Sequence, residues 1–128
     1  MMRVSMNSWY FCGTNLPLQM DWETLDSKET FQAALTASHE QLVVVFKHST
    51  RCSISRMALK LTTSQWDLPA TVRPLLLDLL NHRDVSQNIS EALGIHHESP
   101  QMLVIRDGKC IHHANHHHID PTAVKAYL

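Results

Sequence analysis

The sequence has few glycines and no long apolar run. Only three of its 128 residues are glycine and 44% are hydrophobic, which is the composition of a folded protein and not of a disordered one. No apolar stretch approaches the roughly 20 residues of a membrane span. Eleven Lys and Arg oppose twelve Asp and Glu, for a formal net charge of -1. We therefore expect a soluble chain that binds neither membranes nor nucleic acid.

Cysteine is also scarce. The three cysteines, Cys12, Cys52 and Cys110, form neither a dense disulfide framework nor a paired metal-binding motif. A chain of this length buries about two-thirds of its unfolded surface and needs no covalent cross-links. The pattern indicates a single domain in a reducing compartment, which we take to be the cytoplasm.

Residues 1–19 lack both helical and strand periodicity. Their one arginine and the short aromatic patch at Trp9, Tyr10 and Phe11 are too little for a secretory signal. We expect a poorly ordered N-terminal extension, followed by one domain over residues 20–128. The aromatic side chains offer the alternative of docking on that domain.

The most informative stretch is residues 42–60. Residues 42–46 are continuously apolar and rich in valine, which predicts a strand buried on both faces. A polar turn follows, and its Ser49 and Thr50 are expected to cap a helix that has Cys52 in its first turn. The apolar residues of this helix recur at three and four positions, on one face: Ile54, Met57, Ala58 and Leu61.

This placement makes Cys52 a candidate nucleophile. The first turn of a helix carries unpaired N–H groups and the positive end of the dipole, which favour the thiolate. Arg51 and Lys47 add positive charge nearby. The alternative, a small buried hydrophobic side chain, fits a polar turn poorly.

The remaining elements follow from similar patterns. Residues 22–25 form a short strand, and Asp26 or Ser27 caps a helix to about Ser38. A strand is predicted at 72–80, followed by a helix at 84–93 with Ala92 inward and Gly94 as terminator. Strands at 102–106 and 109–114 are joined by Asp107-Gly108. A final helix follows Asp120-Pro121.

The resulting order, βαβαβαββα, is similar to that of the thioredoxin fold. We therefore predict an α/β domain with a central mixed sheet flanked by helices. In that fold the reactive cysteine follows the second strand, as Cys52 does. The resemblance also implies that the Ser99–Pro100 bond is cis and that Pro100 faces Cys52.

A closer resemblance lies in the sequence FKHSTRCSIS, residues 46–55. Together with 57–59, 77–80, 83–86 and 99–101, it resembles the YtxJ-like monothiol bacilliredoxins over roughly residues 20–128. The resemblance implies a thiol-disulfide oxidoreductase that removes bacillithiol from mixed disulfides on other proteins. Bacillithiol would be the cosubstrate, the partners would be bacillithiolated proteins and a low-molecular-weight thiol, and no cofactor would be tightly bound.

The residues are consistent with a mechanism that uses one thiol. In a C-x-x-C motif the second thiol resolves the mixed disulfide, but here Ser55 occupies that position and cannot. Cys52 would take the small thiol from the modified protein and hold it until another thiol removes it. Expected substrate contacts are Lys47, Thr50, Arg51, Ser53, Ser55, Ser99 and Pro100, with Lys47 and Arg51 facing the anionic groups of bacillithiol.

Histidines are concentrated near the C-terminus. If the strand continued, His112, His116 and His118 would share one face, but Asn115 and Asp120 indicate that it ends there. No sequence motif specifies a metal, and we predict no metal site. Cys110 is interpreted as a core side chain.

Two other functions stay open. One is a monothiol glutaredoxin-like protein that uses glutathione or binds an iron–sulfur cluster. The other is a non-catalytic stress or metal-binding module that keeps the fold and uses its histidines. A fast-reacting Cys52 near neutral pH would distinguish a catalyst from such a module.

Overall fold

The computed structural model describes residues 20–128, which form one five-stranded sheet with helices on both faces. The strands are β1 (Glu23–Thr24), β2 (Val43–His48), β3 (Arg73–Asp78), β4 (Gln101–Arg106) and β5 (Lys109–Asn115). The helices are α1 (Lys28–Ala37), α2 (Ser53–Ser64) and α3 (Arg83–Leu93), followed by 3-10 segments at His116–His118 and Pro121–Tyr127.

The sheet is mixed, as predicted. Its strand order is β1-β3-β2-β4-β5, with β1 and β2 parallel to β3, β4 antiparallel to β2, and β5 antiparallel to β4. Parallel neighbours need a crossover, which α1 and α2 supply, whereas β4 and β5 are joined by a tight turn. The central strand is β2, which leads directly into the turn before Cys52.

The two faces of the sheet bury separate sets of apolar side chains. Val43 and Val45 pack with residues of α1 and α3, while Val44 and Phe46 pack with α2 and the C-terminal 3-10 segment. All six residues of β2 are buried, which confirms the predicted strand. Because side chains alternate along a strand, Lys47 belongs to the α1 and α3 face and His48 to the α2 face.

Several predicted boundaries are confirmed by their local chemistry. Ser27 caps α1 in a capping box with Thr30, and Gly94 ends α3 in the left-handed conformation at φ 68°. Asp107 and Gly108 both have positive φ, 53° and 74°, as a two-residue type I′ hairpin turn requires.

Other boundaries differ from the prediction. The first strand has only two residues, α3 begins at Arg83, and the C-terminal helix is of the 3-10 type with Asp120 as its cap. Ala92, predicted to face inward, is exposed. Ser49 and Thr50 do not cap α2, because the helix begins one residue after Cys52.

The expected N-terminal extension, residues 1–19, lies outside the described residues. Within residues 20–128, no helix has the length and the apolar content that crossing a bilayer requires.

Candidate active site

Cys52 is the N-cap residue of α2 and is partly exposed. Its backbone is extended, at φ -102° and ψ 121°, and its N–H donates to the Ser49 carbonyl at 3.2 Å. The Cys52 side chain makes no capping hydrogen bond, and the first turn of the helix contains no acidic residue. The N–H groups of that first turn can therefore interact with an anionic sulfur. Cys52 thus lies at the start of the helix, as the sequence predicted, but as its N-cap and not as a residue of its first turn.

Ser55 lies beneath this turn and is fully buried. Its Oγ accepts a hydrogen bond from the Ser49 N–H at 3.0 Å and lies 2.7 Å from His48 Nδ1. The expected contact between Ser55 and the substrate is corrected, because a wholly buried hydroxyl with two internal partners cannot touch an incoming disulfide. Ser55 instead links the end of β2 to the first turn of α2.

His48 is a site residue that the sequence analysis missed. Burial lowers its pKa, with Asp78 opposing the shift and Arg56 adding to it. A neutral imidazole can accept at Nδ1, which lets the Ser55 hydroxyl donate to it while accepting from the Ser49 N–H. This assignment satisfies both Ser55 hydrogen-bonding functions and places the imidazole proton on Nε2. The alternation of β2 was the available signal, since it puts His48 on the same face as Phe46.

The turn before Cys52 exposes several predicted contacts. Thr50, Arg51 and Ser53 are all solvent-exposed beside the partly exposed cysteine. Arg51 forms no salt bridge with any residue from 20 to 128, so its guanidinium is available to a ligand. Arg56 has a structural role, because its Nη1 donates to the Thr50 carbonyl at 3.1 Å and fixes the turn.

Ser99 and Pro100 lie at the same end of the sheet as Cys52. The last residue pair of the β2 and β4 ladder is Lys47 with Gln101, so the residue before Gln101 lies beside the end of β2. The Ser99–Pro100 bond is cis, as predicted. Ser99 is partly exposed, while its Oγ is buried and has no hydrogen-bond partner in the described part of the chain.

Lys47 does not belong to the exposed site. It is completely buried, and its ammonium contacts α3 and His97 on the face of the sheet opposite α2. Burial lowers the pKa of Lys47 to about 8. The expected contact between Lys47 and a substrate anion is therefore corrected, and Arg51 is the basic side chain left to make that contact.

Three of the four residues on the predicted apolar face of α2 are exposed, while the fourth, Ala58, packs against the core. Ile54, Met57 and Leu61 are 61%, 57% and 48% exposed, respectively. With Ser53 and Ala58 they line one side of a groove of about 700 Å³, whose other side is His116, His117 and Ile119. Exposed large apolar side chains grouped in this way are typical of interaction surfaces. One residue of the groove, Ser53, follows Cys52 directly in the chain.

The histidine cluster does not form a shared face. β5 ends at Asn115, and His116–His118 turn into a 3-10 segment in which His116 has φ 54°. Within residues 20–128, no three His, Cys, Asp or Glu side chains are grouped to hold a metal ion. Cys110 packs against the core on the α1 and α3 side, and burial raises the pKa of its thiol. This agrees with the interpretation of Cys110 as a core residue.

Comparison with known proteins agrees with this geometry. The family described as "Monothiol bacilliredoxin BrxC" matches residues 23–124. Among solved structures, a thioredoxin-fold protein has 24% identity over 80% of this chain and 89% of its own, with a TM-score of 0.69. Thioredoxin from Malassezia sympodialis is 16% identical over 89% of this chain and 94% of its own, with a TM-score of 0.67. Thioredoxin from Fasciola hepatica is 14% identical over 81% of this chain and 93% of its own, with a TM-score of 0.64. At these identities the structures establish the fold alone, and they confirm the predicted thioredoxin-like fold.

Proposed function

We propose, since the chain belongs to the monothiol bacilliredoxin family, that it removes bacillithiol from protein mixed disulfides in the cytoplasm through Cys52. The observation that carries this proposal is the pairing of a partly exposed Cys52 at the start of α2 with a buried Ser55 three residues later. The first residue supplies a nucleophile, and the second removes the internal thiol that would otherwise resolve the intermediate.

The proposed reaction consists of two thiol-disulfide exchanges. The Cys52 thiolate attacks the bacillithiol sulfur of the modified protein, a new S–S bond forms, and the protein leaves as a thiolate that water protonates. A second bacillithiol thiolate then attacks the sulfur held on Cys52. Cys52 is regenerated and bacillithiol disulfide is released, so each turnover consumes one free bacillithiol and replaces the mixed disulfide of the target by bacillithiol disulfide.

Arg51 is the proposed contact for the small thiol. Bacillithiol carries carboxylates, and an exposed guanidinium next to the reactive sulfur can bind one of them, with the free N–H groups of α2 beside it. Thr50 and Ser53 flank the same position and are proposed to contact the sugar or the carboxylates. Neither proposal involves Lys47 or Ser55, whose side chains are buried.

The target protein is proposed to lie along two surfaces. Its backbone beside the modified cysteine would pair with the backbone of the partly exposed Ser99, which precedes the buried Pro100 at the same end of the sheet as Cys52. Its apolar side chains would occupy the groove between α2 and His117, which begins at Ser53. The apolar character of this groove supports a protein substrate, because a small polar disulfide alone would not use it.

The test is release of bacillithiol from a defined modified protein, followed by intact mass spectrometry. We expect wild-type protein to release bacillithiol and to form a Cys52 adduct, and Cys52→Ser to do neither. Cys110→Ser is the matched control and is expected to keep the activity, as is Cys12→Ser.

The same target protein carrying glutathione distinguishes the alternatives. Equal rates on the bacillithiol and glutathione mixed disulfides would favour the glutaredoxin-like function. Absence of a Cys52 adduct with either substrate would favour a non-catalytic module.

A further inference from the structure

Lys47 and Gln101 are two fully buried polar residues at the active-site end of the sheet. They are paired across β2 and β4, so their side chains lie next to each other on the face that packs against α1 and α3. A buried ammonium and a buried amide need hydrogen-bond partners, because burial without them is costly. Their partners therefore show what this pair of side chains holds in place.

Both side chains bind the segment that leads into Pro100. Lys47 Nζ lies 3.3 Å from His97 Nδ1, and Gln101 Nε2 donates to the His96 carbonyl at 3.0 Å. Lys47 Nζ also donates to the Ser86 carbonyl at 3.2 Å and to Ser90 Oγ at 2.9 Å. His97 Nδ1 also lies 3.3 Å from Ser86 Oγ. An ammonium has three donors and no acceptor, so a hydrogen bond between Lys47 and His97 requires an unprotonated Nδ1.

The end of β5 is held by Gln101 as well. Gln101 Nε2 donates a second hydrogen bond, to Asn115 Oδ1 at 3.0 Å. The next residue, His116, donates its backbone N–H to the Pro100 carbonyl at 2.9 Å. The loop before Pro100 and the end of β5 are thus both anchored to buried polar groups beneath the site.

We propose that Lys47, His97 and Gln101 form a polar clamp that holds Ser99 and Pro100 in position for the target chain, and that protonation of His97 opens it. Lys47 is then a positioning residue, not a substrate contact. The proposal rests on the exchange at Cys52 described above. It adds to that reaction a pH-dependent control over target binding that acts from the opposite face of the sheet.

The charges around His97 determine the direction of the response. Lys47 faces it from β2 and Arg83 from α3, while His96 and Glu98 face it from its own loop. The His97 residue is exposed, and the partial burial of its ring together with the three basic groups lowers its pKa, while Glu98 opposes them. His97 is therefore neutral and able to accept at neutral pH. Protonation in acid removes the acceptor and places a second positive charge beside the Lys47 ammonium.

Two substitutions of His97 test the clamp. Asn places a carbonyl oxygen close to the position of Nδ1 and cannot be protonated, whereas Leu provides no acceptor. The substrate is an extended peptide carrying a neutral small thiol as a mixed disulfide, and exchange rates are measured from pH 5 to 8. Each rate is divided by the rate of Cys52 alkylation by iodoacetamide, which depends on the thiolate but not on the Pro100 segment.

For wild-type protein we expect this ratio to fall about three- to tenfold from pH 8 to pH 5. His97→Asn should keep the ratio at pH 8 and lose the fall, and His97→Leu should lower the ratio by about tenfold at pH 8. An unchanged ratio in His97→Leu, or an acid fall retained in His97→Asn, would overturn the clamp. If His97→Leu does not fold, the acid response of His97→Asn decides alone.

The peptide substrate contains no bacillithiol, so this result is independent of the small thiol. A clamp effect on the peptide, together with no activity on a bacillithiolated protein, would refute the proposed function and keep the clamp. Normal activity on the bacillithiolated protein, without a clamp effect on the peptide, would refute the clamp and keep the proposed function.

Discussion

Lys47 should make the protein more stable as the pH rises above 8. Its pKa is about 8 in the folded chain, against an ordinary value of 10.5 in the unfolded one. Between these two values the unfolded chain holds the proton and the folded chain does not. The free energy of unfolding therefore rises with pH across this interval. Below pH 8 both states are protonated, and the cost of burying the ammonium is fully present.

The size of this effect follows from the two pKa values. A change from 10.5 to about 8, at about 1.4 kcal/mol for each tenfold change in proton affinity, corresponds to about 3 kcal/mol in total. Most of it, roughly 2 to 3 kcal/mol, should be gained by pH 10. This is a large fraction of the ~5–15 kcal/mol that stabilises a typical domain.

The measurement is urea unfolding followed by circular dichroism at pH 7, 8, 9 and 10, for wild-type protein and Lys47→Met. Other groups titrate in this range, but they do so in both proteins, so the difference in unfolding free energy isolates Lys47. We expect that difference to shift by roughly 2 to 3 kcal/mol in favour of the wild type between pH 7 and 10. Constant m-values would show that the two unfolded states are comparable.

Lys60→Met is the matched control, because Lys60 is exposed on α2. The difference in unfolding free energy between Lys60→Met and the wild type should not change with pH. If the Lys47→Met difference were equally flat, the ammonium would not be buried as the structure places it. The clamp described above would then lose its central residue.

Three further outcomes are expected. Iodoacetamide should label Cys52 well before Cys110 at pH 7, because burial raises the pKa of the Cys110 thiol; equal labelling in a peptide map would contradict the assignment. Arg51→Gln should slow release of bacillithiol about ten- to a hundredfold, because it removes one charge-assisted contact of roughly 1.5 to 3 kcal/mol. The rate with a neutral small disulfide should fall less. Equal losses of rate on the two substrates would mean that Arg51 acts on the Cys52 thiolate. Met57→Glu should raise KM severalfold for a protein substrate with an apolar segment and leave KM for small disulfides unchanged. Lys60→Glu is the control. An unchanged KM for the protein substrate would show that the groove does not bind the target.

The sequence predicted the fold well where the local chemistry is unambiguous. The continuous apolar run of β2 has one reasonable interpretation, and Gly94 and Asp107-Gly108 occur where the backbone needs positive φ. The position of Cys52 followed from the strand before it and the helical period after it. Each of these inferences depends on residues close together in the chain.

The failures involve contacts between distant elements. The helical period of α2 identified an apolar face but not its surroundings. In the fold, the buried positions of α2 include the small polar Ser55 and Thr62, while Ile54 and Met57 face solvent. Lys47 was assigned to the substrate because it adjoins the turn in sequence. Its partners lie on α3 and beyond it, 39 to 50 residues further along the chain.

The hydroxyl of Ser55 also has a consequence for how the proposed reaction depends on thiol concentration. A site with two thiols releases two small thiols for each small disulfide it consumes, so its oxidised fraction depends on the square of the free thiol concentration. In the proposed reaction Cys52, with Ser55 three residues later, would exchange one thiol for one. Its loaded fraction would then depend only on the ratio of small disulfide to small thiol. A change in the total thiol pool at constant ratio would leave Cys52 unaffected, so its oxidation state would follow the redox balance of the pool and not its size.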